Sequence, residues 1–72
     1  MTVNEKLKMI LKERGIKQTA VAEALGIKIT TFNAMLNGTT SLKVETLIKV
    51  CDFIGMPSEN FFNYEFQENG NE

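Results

Sequence analysis

Few residues of this chain are equipped for covalent chemistry. Histidine and tryptophan are absent, and the sole cysteine is Cys51. A cysteine nucleophile needs a neighbouring base to form its thiolate, and no histidine exists to serve. No cluster of carboxylates has the spacing of metal ligands, and no glycine-rich phosphate loop occurs. The sequence therefore reads as non-enzymatic, with no cofactor, no metal and no evident small-molecule ligand. The chemistry left to it is electrostatic. All eight Lys and Arg fall within residues 1–49, against four acids, a balance of +4; residues 50–72 hold five acids and no base, a balance of −5. A basic body with an acidic end fits a polyanion binder with one active side, or else a solvated surface unevenly divided.

The placement of the cations is more specific than their number. Gly-Ile-Lys occurs twice, at residues 15–17 and 26–28, eleven residues apart. Each copy stands before a segment with helical pattern, and Lys43 stands in the same relation to a later one. Helix starts favour Ser, Thr, Asp or Asn, whose short side-chain oxygen accepts from an orphan backbone N–H. The positive end of the helix dipole also disfavours a cation there. Lys17, Lys28 and Lys43 thus depart from local preference at successive helix starts. A small shift of register would let Thr19 or Thr30 cap instead and leave the lysines as ordinary loop residues.

The elements that must position these residues are helical throughout. Thr2 and Glu5 have the spacing of a capping box at the start of a first helix. Val3, Leu7, Ile10 and Leu11 then form one apolar stripe, and Gly15 can end it in the left-handed conformation. A second helix spans about residues 18–25, with Val21, Ala22 and Leu25 on one face and Gly26 as its stop. A third follows within three residues and runs to about Asn37. Phe32, Met35 and Leu36 point one way from it; Ile29, Thr30, Asn33 and Ala34 cover the opposite arc. A fourth helix spans about 43–54. Val44, Leu47, Ile48, Val50, Cys51 and Ile54 give it a wide apolar face and a central place, and Gly55 ends it. "PSENFF" reads as a short fifth helix whose Phe61 or Phe62 closes the core. Only Phe62, Tyr64 and Phe66 alternate in a strand-like way.

The expected architecture is all-α and compact, with residues 1–66 as a single domain and 67–72 as a polar, disordered tail. An apolar share of 43% suffices for a fold, although 72 residues bury a modest core. No apolar run approaches the ~20 residues of a membrane span, and the N-terminal segment lacks the pattern of a signal peptide. A single cysteine fits a reducing compartment, so the expected location is cytoplasmic, with no membrane partner.

The second and third helices, joined through Gly26, make a helix-turn-helix, a motif that lays its second helix in the major groove of DNA. The stretch "QTAVAEALGIKITTFNAMLNG", followed nine residues after Gly38 by Leu47, resembles the lambda-repressor-like (XRE/Cro) helix-turn-helix family. The matching pieces are Gln18, Val21-Ala22, Leu25-Gly26, the apolar Phe32, Asn37-Gly38 and then "VETLIKVCDFIGMPSENFF", together covering about residues 3–62. The resemblance implies five helices, with the third, about residues 28–37, as recognition helix. It implies double-stranded DNA as partner and commonly a homodimer on a near-palindromic operator. By position it implies Gln18 on the DNA backbone. Ile29, Thr30 and Ala34 fall where base edges are often read, with Lys28 and Asn33 beside them. Asn37, Thr40 and Lys43 fall where the family contacts phosphate or reaches a base. It also turns the starts of the second, third and fourth helices toward DNA. Lys17, Lys28 and Lys43 would there meet phosphates at which local N–H groups also point.

Several positions depart from the family pattern. Many members carry Gln, Arg or Ser where bases are read, groups able to make bidentate contacts. Here Ile29 and Ala34 would pack on thymine methyl groups and Thr30 would bond a base or phosphate, unless Ile29 caps the core. Many members also pair an Arg on the first helix with a Glu near the end of the third. Leu11 and Leu36 occupy those positions, so they are expected to pack together, the alternative being that Leu36 is exposed for a partner. Phe53, Phe62, Tyr64 and Phe66 could form an apolar dimer interface, or Tyr64 and Phe66 could fold back on their own subunit. The leading reading is a repressor-type transcriptional regulator acting by operator occupancy. The alternative is a protein-interaction module on the same fold, an antirepressor or assembly subunit.

Overall fold

Burial follows the helical periodicity closely enough to gather twelve apolar side chains into one cluster. The computed structural model describes residues 2–63, and among these it contains five helices: α1 (Val3–Glu13), α2 (Gln18–Leu25), α3 (Ile29–Leu36), α4 (Val44–Ile54) and α5 (Ser58–Asn63). Leu7, Ile10 and Leu11 of α1 meet Val21 and Ala22 of α2, Phe32 and Leu36 of α3, Leu47, Val50 and Cys51 of α4, and Phe61 of α5. Phe32 and Phe61 are the largest wholly enclosed side chains. Helix α3 packs against both α1 and α2, and α4 against α2 and α5. The first two helices thus form the platform on which α3 is held, with α4 packed on α2. No described polar or charged residue is buried.

The four longer helices end in one way. Gly26 adopts φ +72°, its N–H donates to the Glu23 carbonyl, and the N–H of Ile27 reaches back to Ala22 at 3.0 Å. This pairing satisfies two of the four orphan carbonyls at the end of α2, and only glycine takes the left-handed backbone without steric cost. The same reach-back bonds follow Gly15, Gly38 and Gly55.

The apolar faces are narrower than the sequence implies. Val3 is 41% exposed, and Val44 and Ile48 are exposed although they extend the stripe of α4. Spacing fixes the direction of a side chain, but not how far the neighbouring helix reaches. Leu47, Val50 and Cys51 face the core, whereas Val44 and Ile48 lie on the flank of α4. Phe61, not Phe62, closes the core, and Phe62 lies in α5 rather than in a strand. Tyr64, Phe66 and the tail lie outside the described residues.

Candidate nucleic-acid interface

The turn between α2 and α3 contains only Gly26, Ile27 and Lys28. Ala22, 2% exposed, presents a methyl group to the junction and lets the two helices approach closely. Ile27 packs against the core from the turn itself. This anchoring fixes α3 relative to α2; of the expected outward arc, Thr30 is exposed, while Ile29, Asn33 and Ala34 are half-buried.

The N-cap residues of α2, α3 and α4 are Lys17, Lys28 and Lys43. All three have extended backbone, with ψ of 138°, 143° and 149°, and none makes a side-chain capping bond. Their carbonyls accept the first helical bonds, from Val21, Phe32 and Leu47, so the register is unambiguous. Thr19 and Thr30 lie inside the helices and do not cap them. The contrast is α1, where Thr2 Oγ1 accepts from the Glu5 N–H at 3.1 Å and Glu5 Oε1 accepts from the Thr2 N–H at 2.9 Å. The bond from the Thr2 backbone, and then the Thr2 hydroxyl, hold the Glu5 carboxyl below its ordinary value.

The remaining residues expected at a DNA surface divide by exposure. Thr30, Asn37 and Thr40 are exposed, as are the three lysines. Gln18, Asn33 and Ala34 are half-buried. Asn33 Oδ1 is wholly covered and has no hydrogen-bond partner. Ile29 is half-buried and packs against the core, which leaves it less of its surface for a thymine methyl group. Leu11 and Leu36 are both enclosed in the core, at 1% and 2% exposure, which excludes Leu36 as a solvent-facing contact. Asn37 is not isolated: its Oδ1 accepts from Lys8 Nζ at 2.9 Å. Lys8 and Asn4, which donates to the Met35 carbonyl, escaped sequence reasoning. The signal was present, since residues 4, 8 and 11 share one face of α1.

Away from this surface, Phe53 is 47% and Phe62 56% exposed. Phe53 lines an open groove between α2 and α4 with Ala24, Leu25, Lys49 and Asp52. The Cys51 thiol is pushed up by burial and by the charge of Asp52, which disfavours the reactive thiolate.

Five packed helices with a tight glycine turn between the second and third define a helix-turn-helix domain of lambda-repressor-like fold. A sequence model of the Cro/C1-type HTH DNA-binding domain matches residues 6–67, and the chain belongs to that family. Its general function is therefore that of a DNA-binding regulator. No curated protein and no solved structure matched the chain. Among the described residues, no helix is long and apolar enough to cross a membrane, and no group of His, Cys, Asp and Glu could hold a metal ion.

Proposed function

We propose that this protein is a sequence-specific, repressor-type transcriptional regulator that acts by occupying an operator, with α3 in the major groove. The observation that carries this reading is the lysine at the start of each of α2, α3 and α4, without a side-chain capping bond. An anion at such a start receives both the ammonium and the orphan backbone donors. Lys17, Lys28 and Lys43 thereby supply phosphate contacts and register, with Gln18, Asn37 and Thr40 beside them. Thr30, with Ile29, Asn33 and Ala34, supplies modest base discrimination favouring a T-containing half-site.

Two copies extend the site. Phe53 and Phe62, exposed on α4 and α5, supply apolar surface for a homodimer, continued by Tyr64 and Phe66. Recognition helices of such a dimer meet successive major grooves about 34 Å apart. The domain would then run through residue 66, the acidic tail would face away from DNA, and the protein would act in the cytoplasm.

The same exposed aromatics favour the second reading, a protein-interaction module with weak or no DNA binding. Salt separates the two. Binding through several phosphates falls steeply as salt rises, with a log–log slope of about −0.9 per contact. A salt-titrated duplex-binding assay of wild type, Lys28→Ala and Thr30→Ala tests the proposal. Lys28→Ala should weaken all duplexes alike and lower the slope, while Thr30→Ala should reduce the preference among sequences. Salt-independent binding, or equal affinity for operator-like and scrambled duplexes, would count against it. Sedimentation showing only monomer at high micromolar concentration would remove the dimer.

A further inference from the structure

Helix α1 carries a stripe that phosphate binding at helix starts does not explain. Asn4, Lys8 and Leu11 share one face of α1, and each meets the C-terminal end of α3. Asn4 Nδ2 donates to the Met35 carbonyl, Lys8 Nζ donates to Asn37 Oδ1 at 2.9 Å, and Leu11 is enclosed in the same core cluster as Leu36. Three successive residues of the recognition helix end, Met35, Leu36 and Asn37, are thus held by one face of the first helix.

The Lys8 contact settles more than position. An ammonium only donates, whereas a carboxamide has an accepting oxygen and a donating nitrogen on opposite sides. Asn37 therefore turns Oδ1 toward Lys8, which leaves Nδ2 on the other branch of the amide. Among the described residues nothing accepts from that nitrogen. A phosphate oxygen only accepts, so an Nδ2 so oriented matches it. The negative end of the α3 dipole draws Lys8 to this place. It also opposes a phosphate there, which makes an oriented donor the more necessary.

We infer that Lys8 is a positioning residue: its ammonium fixes the Asn37 amide with the donor side outward, and Asn37 then contacts a DNA phosphate. This rests on the DNA-binding reading above. Phosphate contacts do not depend on sequence, so a fluorescein-labelled duplex of mixed sequence serves as probe. Wild type, Lys8→Met, Lys8→Arg, Asn37→Ala and the Lys8→Met/Asn37→Ala double variant are compared by anisotropy at low salt. A thermal melt of each establishes that it is folded. Asn37→Ala and Lys8→Met should each weaken binding about tenfold, the loss of one hydrogen bond to a charged group. The double variant should be no weaker than Asn37→Ala alone, and Lys8→Arg, equally donor-only, should retain binding. In the free protein, the NMR signals of the Asn37 side-chain amide should move on Lys8→Met. Additive losses in the double variant, with the salt slope falling by a further ~1, would show that Lys8 meets a phosphate itself. That result would overturn the positioning role and leave DNA binding standing. Unmoved Asn37 amide signals would overturn it without any DNA. A wild type that binds no duplex at low salt would remove the DNA-binding reading and this one together.

Discussion

At the start of α1, Thr2 and Glu5 satisfy each other's backbone donors; at the starts of α2, α3 and α4, a lysine stands without a side-chain capping bond. The two arrangements occur in one small chain whose longer helices all end alike. Careless termination is therefore not the reason for the difference. The first helix is capped for its own stability. On the proposed reading, the next three are left with N–H groups and a cation for the phosphate backbone.

The strongest way to break this comparison is to make the three lysine starts resemble that of α1. Replacing Lys17, Lys28 and Lys43 together by Ser should weaken duplex binding by on the order of 10²- to 10³-fold near 0.1 M salt and lower the salt slope by about three. The same variant should melt higher than wild type. Higher melting with undiminished binding would detach the lysines from DNA. Lys28→Ser alone is a smaller step, expected to weaken binding about tenfold across sequences alike. Urea unfolding should show it stabilised by up to ~1 kcal/mol. The converse substitution sharpens the contrast: Thr2→Ala should destabilise the fold by about 1 kcal/mol in urea while leaving duplex affinity unchanged once folded.

Acid provides the gentlest test. The Glu5 carboxyl is held below its ordinary 4.5, first by the bond from the Thr2 backbone and then by that from its hydroxyl. Its folded value lies under its unfolded value, so the stability it contributes is present above pH 4.5 and is lost as pH falls through the folded value. The difference in melting temperature between wild type and Glu5→Gln should therefore shrink below pH 4.5. Lys28→Ser removes no acidic group and adds none, so it should keep its advantage over wild type across the same range.

Helix ends are more legible in this sequence than helix faces. Thr2 with Glu5 and the stops at Gly15, Gly26 and Gly55 stand where the residue types place them, and the lysines at 17, 28 and 43 stand at the starts that the helical pattern marks despite their type. End chemistry is local, set by a side chain and the backbone within a turn of it. Faces depend on what lies opposite. Val3, Val44 and Ile48 continue apolar stripes yet remain exposed, because no helix among the described residues covers them. The burial of Leu11 and Leu36 was readable from position, and both are enclosed in one core cluster. Lys8 with Asn37 was not. Exposed polar partners 29 residues apart leave no mark in hydropathy, and only the shared face of residues 4, 8 and 11 hints at them.

The uncapped starts also bear on how long a molecule lasts. About 1 kcal/mol withheld at each of three helices is a sizeable part of a folding margin of roughly 5–15 kcal/mol. The free chain accordingly opens more often than its packing alone requires. DNA, binding only the folded form, suppresses that opening by mass action. Cleavage by proteases follows the open population when opening and reclosing are fast. On the proposed reading, copies seated on DNA outlive copies in solution, and the missing caps convert occupancy into lifetime.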